Sequence, residues 1–321
     1  MKLLDIYFSL KSDLDLVERR LLDEVHTSQY NLKKASSHLL KAGGKRIRPV
    51  FVLLAGKFGR YDVTKMAQVA AALELIHMAS LVHDDVIDDA STRRGTPTVK
   101  AEWGDRMAMY TGDFIFARAL VLLSEFSDVR VHQLLSKAIV SMCEGEIEQI
   151  RDFYNKDQNL RTYLRRIKRK TALLLSISCT MGAMVADCSP QVVRLLERYG
   201  YYAGMAFQII DDILDLTSTP KKLGKPVGSD LRQGNLTLPV LYALHNSPDG
   251  LRLRSLIHRD MSQAELAEAV RIVKASGGIE YARQMADRYM EKCLSALREL
   301  PMIDARGKLE GIAHFINERD H

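Results

Sequence analysis

The sequence predicts an all-α protein of one domain, and three observations carry that expectation. Apolar residues recur at three- and four-residue spacing along most of the 321 residues, while the alternation that marks a half-buried strand is scarce. Hydrophobic residues make up 47% of the chain, enough for a large core. Only 8 prolines occur, with no Pro/Gly/Ser-rich linker, and no short-period repeat divides residues 1–321.

Residues 2–41 read as two helices with charged outer faces, broken near residues 26–30. Gly43-Gly44 marks a turn, and a short apolar helix follows Lys45-Arg-Ile-Arg-Pro49. Asp62 caps a long helix on which Met66, Val69, Leu73, Ile76 and Ser80 share one face. Residues 91–98 form a loop, and helical patterns resume over 107–124, 129–154 and 160–186. Pro190 precedes a further long helix reaching Asp215, and the turn-rich stretch 219–230 is a second loop. Helices from about Leu236 complete the chain. The longest uncharged run, residues 171–186, carries several Ser, Thr and Gly and reads as a buried central helix, too short for a membrane span.

A net charge of +6, diffusely spread, gives no footprint for nucleic acid. The sharpest basic run, Arg161, Arg165, Arg166, Lys168, Arg169 and Lys170, reads for most of its members as a solvated helix face. Cys143, Cys179, Cys188 and Cys293 lack metal or redox spacing and read as reduced. Asp5 comes too early for a signal peptide, so the expected location is cytoplasmic.

The chemistry-bearing residues gather in two stretches, His83-Asp-Asp-Val-Ile-Asp-Asp89 and Gln208-Ile-Ile-Asp-Asp-Ile-Leu-Asp215. Residues four apart share a helix face, so Asp84 and Asp88 project together with Asp85 beside them, and Asp211, Asp212 and Asp215 repeat the pattern 127 residues later. Carboxylates this dense at the end of an apolar helix repel one another and call for a cation between them. Magnesium suits the set, because it takes oxygen ligands and is commonly held by one or two carboxylates plus substrate phosphates. A single such triplet matches by chance at a solvated helix end; two, each after an apolar run, do so far less often.

A metal held this way implies a polyphosphate substrate, and cations for it stand near both triplets. Lys45 and Arg48 share a helix face after the glycine turn, Arg93 and Arg94 follow the first triplet, and Lys225 follows the second. Each alone is a surface cation by default; their nearness to the triplets shifts that reading. His77 lies two helical turns before Asp84, where a lone histidine is more often packed core, and Gln208 shares a face with Asp211. Nucleophile motifs, Walker loops and dinucleotide fingerprints are missing from the sequence. The combination suits a reaction that pulls diphosphate off an apolar substrate and shelters a carbocation in a dry cavity.

These residues resemble the trans-isoprenyl diphosphate synthases through nearly the whole chain. The resemblance rests on Gly-Gly-Lys-Arg-Ile-Arg-Pro at 43–49, the stretch 83–95, Lys170-Thr171, the stretch 208–215 and Gly-Lys-Pro-Val-Gly-Ser-Asp-Leu at 224–231. Within that family, residues 224–244 and 159–171 look like those of the catalytic components of bacterial two-component heptaprenyl diphosphate synthases. The resemblance implies an isoprenoid-synthase-type antiparallel helical bundle around a central cavity. It implies several magnesium ions on Asp84, Asp88 and Asp211, with Asp85, Asp212 and Asp215 supporting or ligating in turn. Lys45, Arg48, His77 and Arg94 match the isopentenyl diphosphate site. Arg93, Lys170, Thr171, Gln208 and Lys225 match the site of the allylic diphosphate, expected to be farnesyl diphosphate. The implied reaction is ionisation of the allylic substrate, attack by the isopentenyl double bond, and proton loss to the departing diphosphate. Asn235 departs from the pattern, since many relatives carry lysine there, and it is given no role.

By the same resemblance the growing product passes down the helix below Asp84, past Ser80, Ala79, Ile76 and Ala72, where short-chain relatives place an aromatic plug. Here Ala79 and Ser80 leave the path open, which implies a product longer than about twenty carbons, small side chains otherwise serving only tight helix packing. A hexaprenyl or heptaprenyl diphosphate for quinone side chains such as menaquinone's is the expected product. A small non-catalytic partner subunit and a peripheral membrane contact for product release are the expected associations. The alternatives are a self-sufficient homodimeric long-chain synthase, a terpene cyclase, for which the isopentenyl site would be idle, and a regulatory subunit, which the intact triplets disfavour.

Overall fold

A computed structural model describes residues 3–93, 95–219 and 226–319. It is all helix among those residues except for one two-stranded ribbon. By contacts the chain divides into two compact units. The first comprises Met1–Lys137, Leu174–Glu197 and Glu299–Gly311, and the second Ala138–Leu173, Arg198–Arg298 and Ile312–His321. Several helices carry residues of both units.

The first unit holds α1 (Leu3–Ser9), α2 (Lys11–Glu24), α3 (Tyr30–Lys41), α4 (Ile47–Gly56), α5 (Val63–Ile87), α6 (Val99–Trp103) and α7 (Asp105–Ser124). Residues 3–41 therefore form three helices where the pattern predicted two, because the chain breaks once more at Leu10, buried between α1 and α2. The α5 helix is the axis of the unit and packs against α2, α4 and α7. Its start is set by Asp62, whose carboxylate accepts hydrogen bonds from the backbone N–H of Thr64 (2.9 Å) and Lys65 (3.2 Å), satisfying donors the first turn leaves open. Alanines at 70, 71 and 72 give it a thin waist, and the helix is buried on nearly every side from Met66 to Ala79. It stops where Asp89 turns left-handed (φ 52°). Beyond it Thr92–Arg93 pairs antiparallel with Thr96–Pro97, a short hairpin where a plain loop was expected; a two-residue strand has no periodicity to read. Near the same end α7 comes close enough that a Cβ on Gly112 would lie 2.3 Å from the His83 ring, so a larger residue there would require the imidazole to move.

In the second unit α8 (Val129–Arg151) arrives from the first and is followed by α9 (Leu160–Ile167), capped by Asn159. One π-helical turn, Lys168–Ala172, then leads into α10 (Leu173–Val185), which is buried along most of its length as the uncharged run predicted. The α11 helix (Pro190–Thr217) begins on proline, whose missing N–H costs nothing there, and ends in the second acidic triplet. Helices Ser229–Arg232, Leu238–Asn246, Gly250–Leu256, Gln263–Ala275, Gly278–Arg298 and Asp304–Asn317 follow. Among the described residues two helices are long and apolar enough to cross a membrane. The apolar window of α5 is 78% buried within the protein, as a core helix's is, and that of α7 39%. The four cysteines are free, Cys179 and Cys293 buried and Cys143 exposed.

Candidate active site

The first acidic cluster occupies the last turns of α5. Glu74, His77, Leu81 and Asp85 recur at helical spacing and line one pocket together with Arg46, from the turn before α4, and Arg93, from the hairpin. Asp85 is buried, and its Oδ1 accepts from Arg93 Nε (2.9 Å) and Nη2 (2.7 Å). Burial raises its pKa, with the Asp84 charge adding to the rise and Arg93 opposing it. Asp84 and Asp88 are half-exposed, and Asp88 is the C-cap of α5. Asp89 points elsewhere, exposed and paired with Lys100. Lys45 and Arg48 flank the pocket without reaching its wall, which Arg46 takes instead; Lys45 is exposed, and its carbonyl accepts from the Tyr7 hydroxyl. Ala72, Ile76 and Ala79 are buried in α5, and Ser80 Oγ donates to the His77 carbonyl (2.8 Å). Arg94 and Lys225 lie outside the described residues.

The second cluster is a hydrogen-bonded relay. Thr171 Oγ1 donates to Gln208 Oε1 (2.6 Å), Gln208 Nε2 donates to Asp212 Oδ1 (2.8 Å), and the fully buried Tyr163 hydroxyl donates to Asp212 Oδ2 (2.7 Å). The π turn thus ties Thr171 to the acidic helix, while Lys170 beside it pairs with Glu146 at 3.4 Å. Asp215, also buried, accepts from Ser229 Oγ (2.8 Å) and the Asp230 N–H (3.3 Å). Asp211 remains half-exposed and stands 2.9 Å from Arg319 Nη1, a close charge contact without hydrogen-bond alignment. The Arg319 guanidinium lies over the Phe207 ring at 4.7 Å.

Arg166 is the member of the basic run that leaves the solvated face. It is 4% exposed, donates to Gln158 Oε1 (2.8 Å) and the Leu236 carbonyl (2.6 Å), and supplies positive charge to Asp212. Arg161, Arg165 and Lys168 are exposed as expected. Asn235 donates its backbone N–H to the Asp230 carbonyl (2.8 Å), and its buried Oδ1 has no hydrogen-bond partner among the described residues.

Burial first, then the Asp230 charge, pushes the Asp212 carboxyl up to about 7, against hydrogen bonds from Gln208 and Tyr163 and the Arg166 charge. A carboxyl raised on folding holds its proton more tightly in the native state. Its stabilising contribution is therefore complete below the unfolded value of about 4 and is lost as pH rises through the folded one. The metal-free protein should lose thermal stability across that window relative to Asp212→Asn. A Tm difference between the two that stays flat with pH would refute the assignment.

Among the described residues no three His, Cys, Asp or Glu side chains converge as a ready-made cage. Asp85, Asp212 and Asp215 are engaged by protein donors, and Asp84, Asp88 and Asp211 are the outer carboxylates. At each helix end these are oxygen donors, few in number, of the kind that suits magnesium when water and substrate phosphate complete its shell.

The polyprenyl synthetase family model matches residues 29–273. The chain belongs to the polyprenyl synthetase family. Over 324 aligned residues, spanning 100% of both chains, it is 53% identical to heptaprenyl diphosphate synthase component 2 of Geobacillus stearothermophilus. Its fold is similar to the crystal structure of heptaprenyl diphosphate synthase from Staphylococcus aureus, with a TM-score of 0.94 and 43% identity over 97% of this chain and 99% of that one. It is equally similar, with a TM-score of 0.94 and 31% identity over 100% and 98% of the two chains, to a polyprenyl synthase from Caulobacter crescentus CB15 complexed with calcium and isoprenyl diphosphate. Enzymes of the polyprenyl synthetase family are in general magnesium-dependent, and this chain is a trans-prenyltransferase of that family, which elongates allylic diphosphates with isopentenyl diphosphate.

Several residues of this polyprenyl synthetase carry no separate signal in the sequence. Tyr163 and Arg166 sit in a run whose charges drew the eye to solvent, and Arg319 lies far along the chain from Asp211. Arg46 was inside a recognisable motif, and its charge alone could have nominated it.

Proposed function

We propose that the chain is the catalytic component of a two-component heptaprenyl diphosphate synthase. It would extend farnesyl diphosphate for quinone side chains, in the cytosol and in peripheral contact with the membrane that takes up the product. The observation that carries the reading is the full-length similarity to a component 2 protein in a chain that keeps both acidic triplets. Asp84, Asp88 and Asp211 would hold the magnesium, which supplies positive charge to the leaving diphosphate. Asp85, Asp212 and Asp215, fixed by Arg93, by Tyr163 and Gln208, and by Ser229, hold the outer carboxylates in place through the helices they share.

In this reading Lys45, Arg48, His77 and Arg94 grip isopentenyl diphosphate. Arg93, Lys170, Thr171, Gln208 and Lys225 orient the allylic diphosphate, which on leaving takes the proton released when the new double bond forms. The alanines of α5 keep polar groups and water away from the allylic cation.

The test is product analysis with the purified chain, magnesium, farnesyl diphosphate and labelled isopentenyl diphosphate, with and without the small component of a two-component relative. Heptaprenyl product only in the mixture supports the reading. A long product from the chain alone replaces it with a self-sufficient homodimeric synthase.

A further inference from the structure

Arg46 has a left-handed backbone (φ 47°, ψ 36°), a region that L side chains rarely adopt, and it stands between the two residues given to the isopentenyl diphosphate, Lys45 and Arg48. Strain of this kind persists only where the surroundings over-determine it. Here the guanidinium does so. Its Nε and Nη2 donate to both oxygens of Glu18 on α2, at 2.6 and 3.3 Å, and its Nη1 donates to Glu74 Oε1 on α5, at 3.1 Å. The Arg46 side chain is 10% exposed and that of Glu74 5%. The second Glu74 oxygen is buried without a hydrogen-bond partner among the described residues, so Arg46 is the donor that compensates this carboxylate. One residue thus binds the turn before α4 to α2 and α5 at once, one helical turn from His77.

We propose that Arg46, locked by Glu18 and Glu74, is a positioning residue that sets the Lys45–Arg48 segment for the extending diphosphate. This rests on the assignment of Lys45, Arg48 and His77 to isopentenyl diphosphate. The three-point grip needs the planar fork of arginine; lysine keeps the charge and loses the geometry. Loss of the grip lets the segment drift, which harms the substrate it holds and spares the other.

The test uses the full chain, assayed with the partner component. Arg46→Lys should raise KM for isopentenyl diphosphate by about tenfold while KM for farnesyl diphosphate and kcat at saturation stay within about twofold. Glu74→Gln should raise the same KM, because it loosens the grip. If instead Arg46 acts by touching the diphosphate itself, Glu74→Gln releases it toward substrate and lowers that KM, and the proposal falls. Amide hydrogen exchange provides an assay-independent reading: residues 43–48 should exchange faster in both variants while α7 does not change. Equal exchange in wild type and variants, or a parallel rise in both KM values with a broad fall in Tm, overturns the positioning role. Absence of elongation by the wild-type mixture overturns the functional reading and this role with it. Elongation with an unmoved isopentenyl KM in Arg46→Lys overturns the role alone.

Discussion

Asp84→Ala lowers kcat for elongation by on the order of 10³-fold, the effect expected when one element of a preorganised charge-stabilising set is lost. The carboxylate is half-exposed, whereas its neighbour Asp85 is buried and committed to Arg93. The same motif supplies the control. Asp89 is an exposed aspartate turned left-handed and paired with Lys100. Exposed pairs are screened by solvent and contribute little, so Asp89→Ala should keep near-normal turnover and stability. Rapid-quench measurement of a single turnover separates the two, and comparable losses in both variants would show that the summed charge of this helix end, and not the placement of Asp84, carries the effect.

Ala79→Phe shortens the product. Ala79 is buried on α5, on a face with Ala72 and Ile76 distinct from the pocket face of Glu74, His77 and Asp85. If that face borders the path of the growing chain, a phenyl group closes it and the variant stops after fewer condensations with its first turnover intact. If the face is packed protein, the same ring overfills it and costs about 1–3 kcal/mol of stability. Chain-length analysis of the products beside a melting curve distinguishes the cases, and an unchanged product from a stable variant removes Ala79 from the path.

The helical architecture was legible because its signals are local. The Asp62 cap and the apolar spacing after it placed the start of α5 to the residue, and the carboxylates marked where α5 and α11 end. The features that escaped depend on partners distant in the chain. Arg166 looks like any surface arginine until Gln158 and the Leu236 carbonyl enclose it, and Tyr163 is an ordinary helix residue until its hydroxyl meets Asp212. The hairpin at residues 92–97 is too short for period two to register, and the left-handed turn at Arg46 has neither glycine nor asparagine to announce it. Inner and outer aspartates could not be told apart by spacing, since burial and not sequence separates Asp84 from Asp85 and Asp211 from Asp212.

The π turn at Lys168–Ala172 makes this part of the enzyme sensitive to how many residues it contains as well as to which they are. A π turn accommodates one residue more than an α-helix over the same rise. Deleting one residue there would let α9 and α10 run on as one regular helix over the same rise, with Tyr163 and Arg166 keeping nearly the same facing relative to Leu173–Val185. The tyrosine would keep Asp212, and the arginine the Leu236 carbonyl, because the turn absorbs the missing residue. A point substitution at exposed Lys168 and a one-codon deletion at the same place should both leave Tyr163 on Asp212. A one-residue insertion between Arg166 and Lys168, which rotates the Tyr163 and Arg166 side chains by about 100°, should dismantle the second acidic centre.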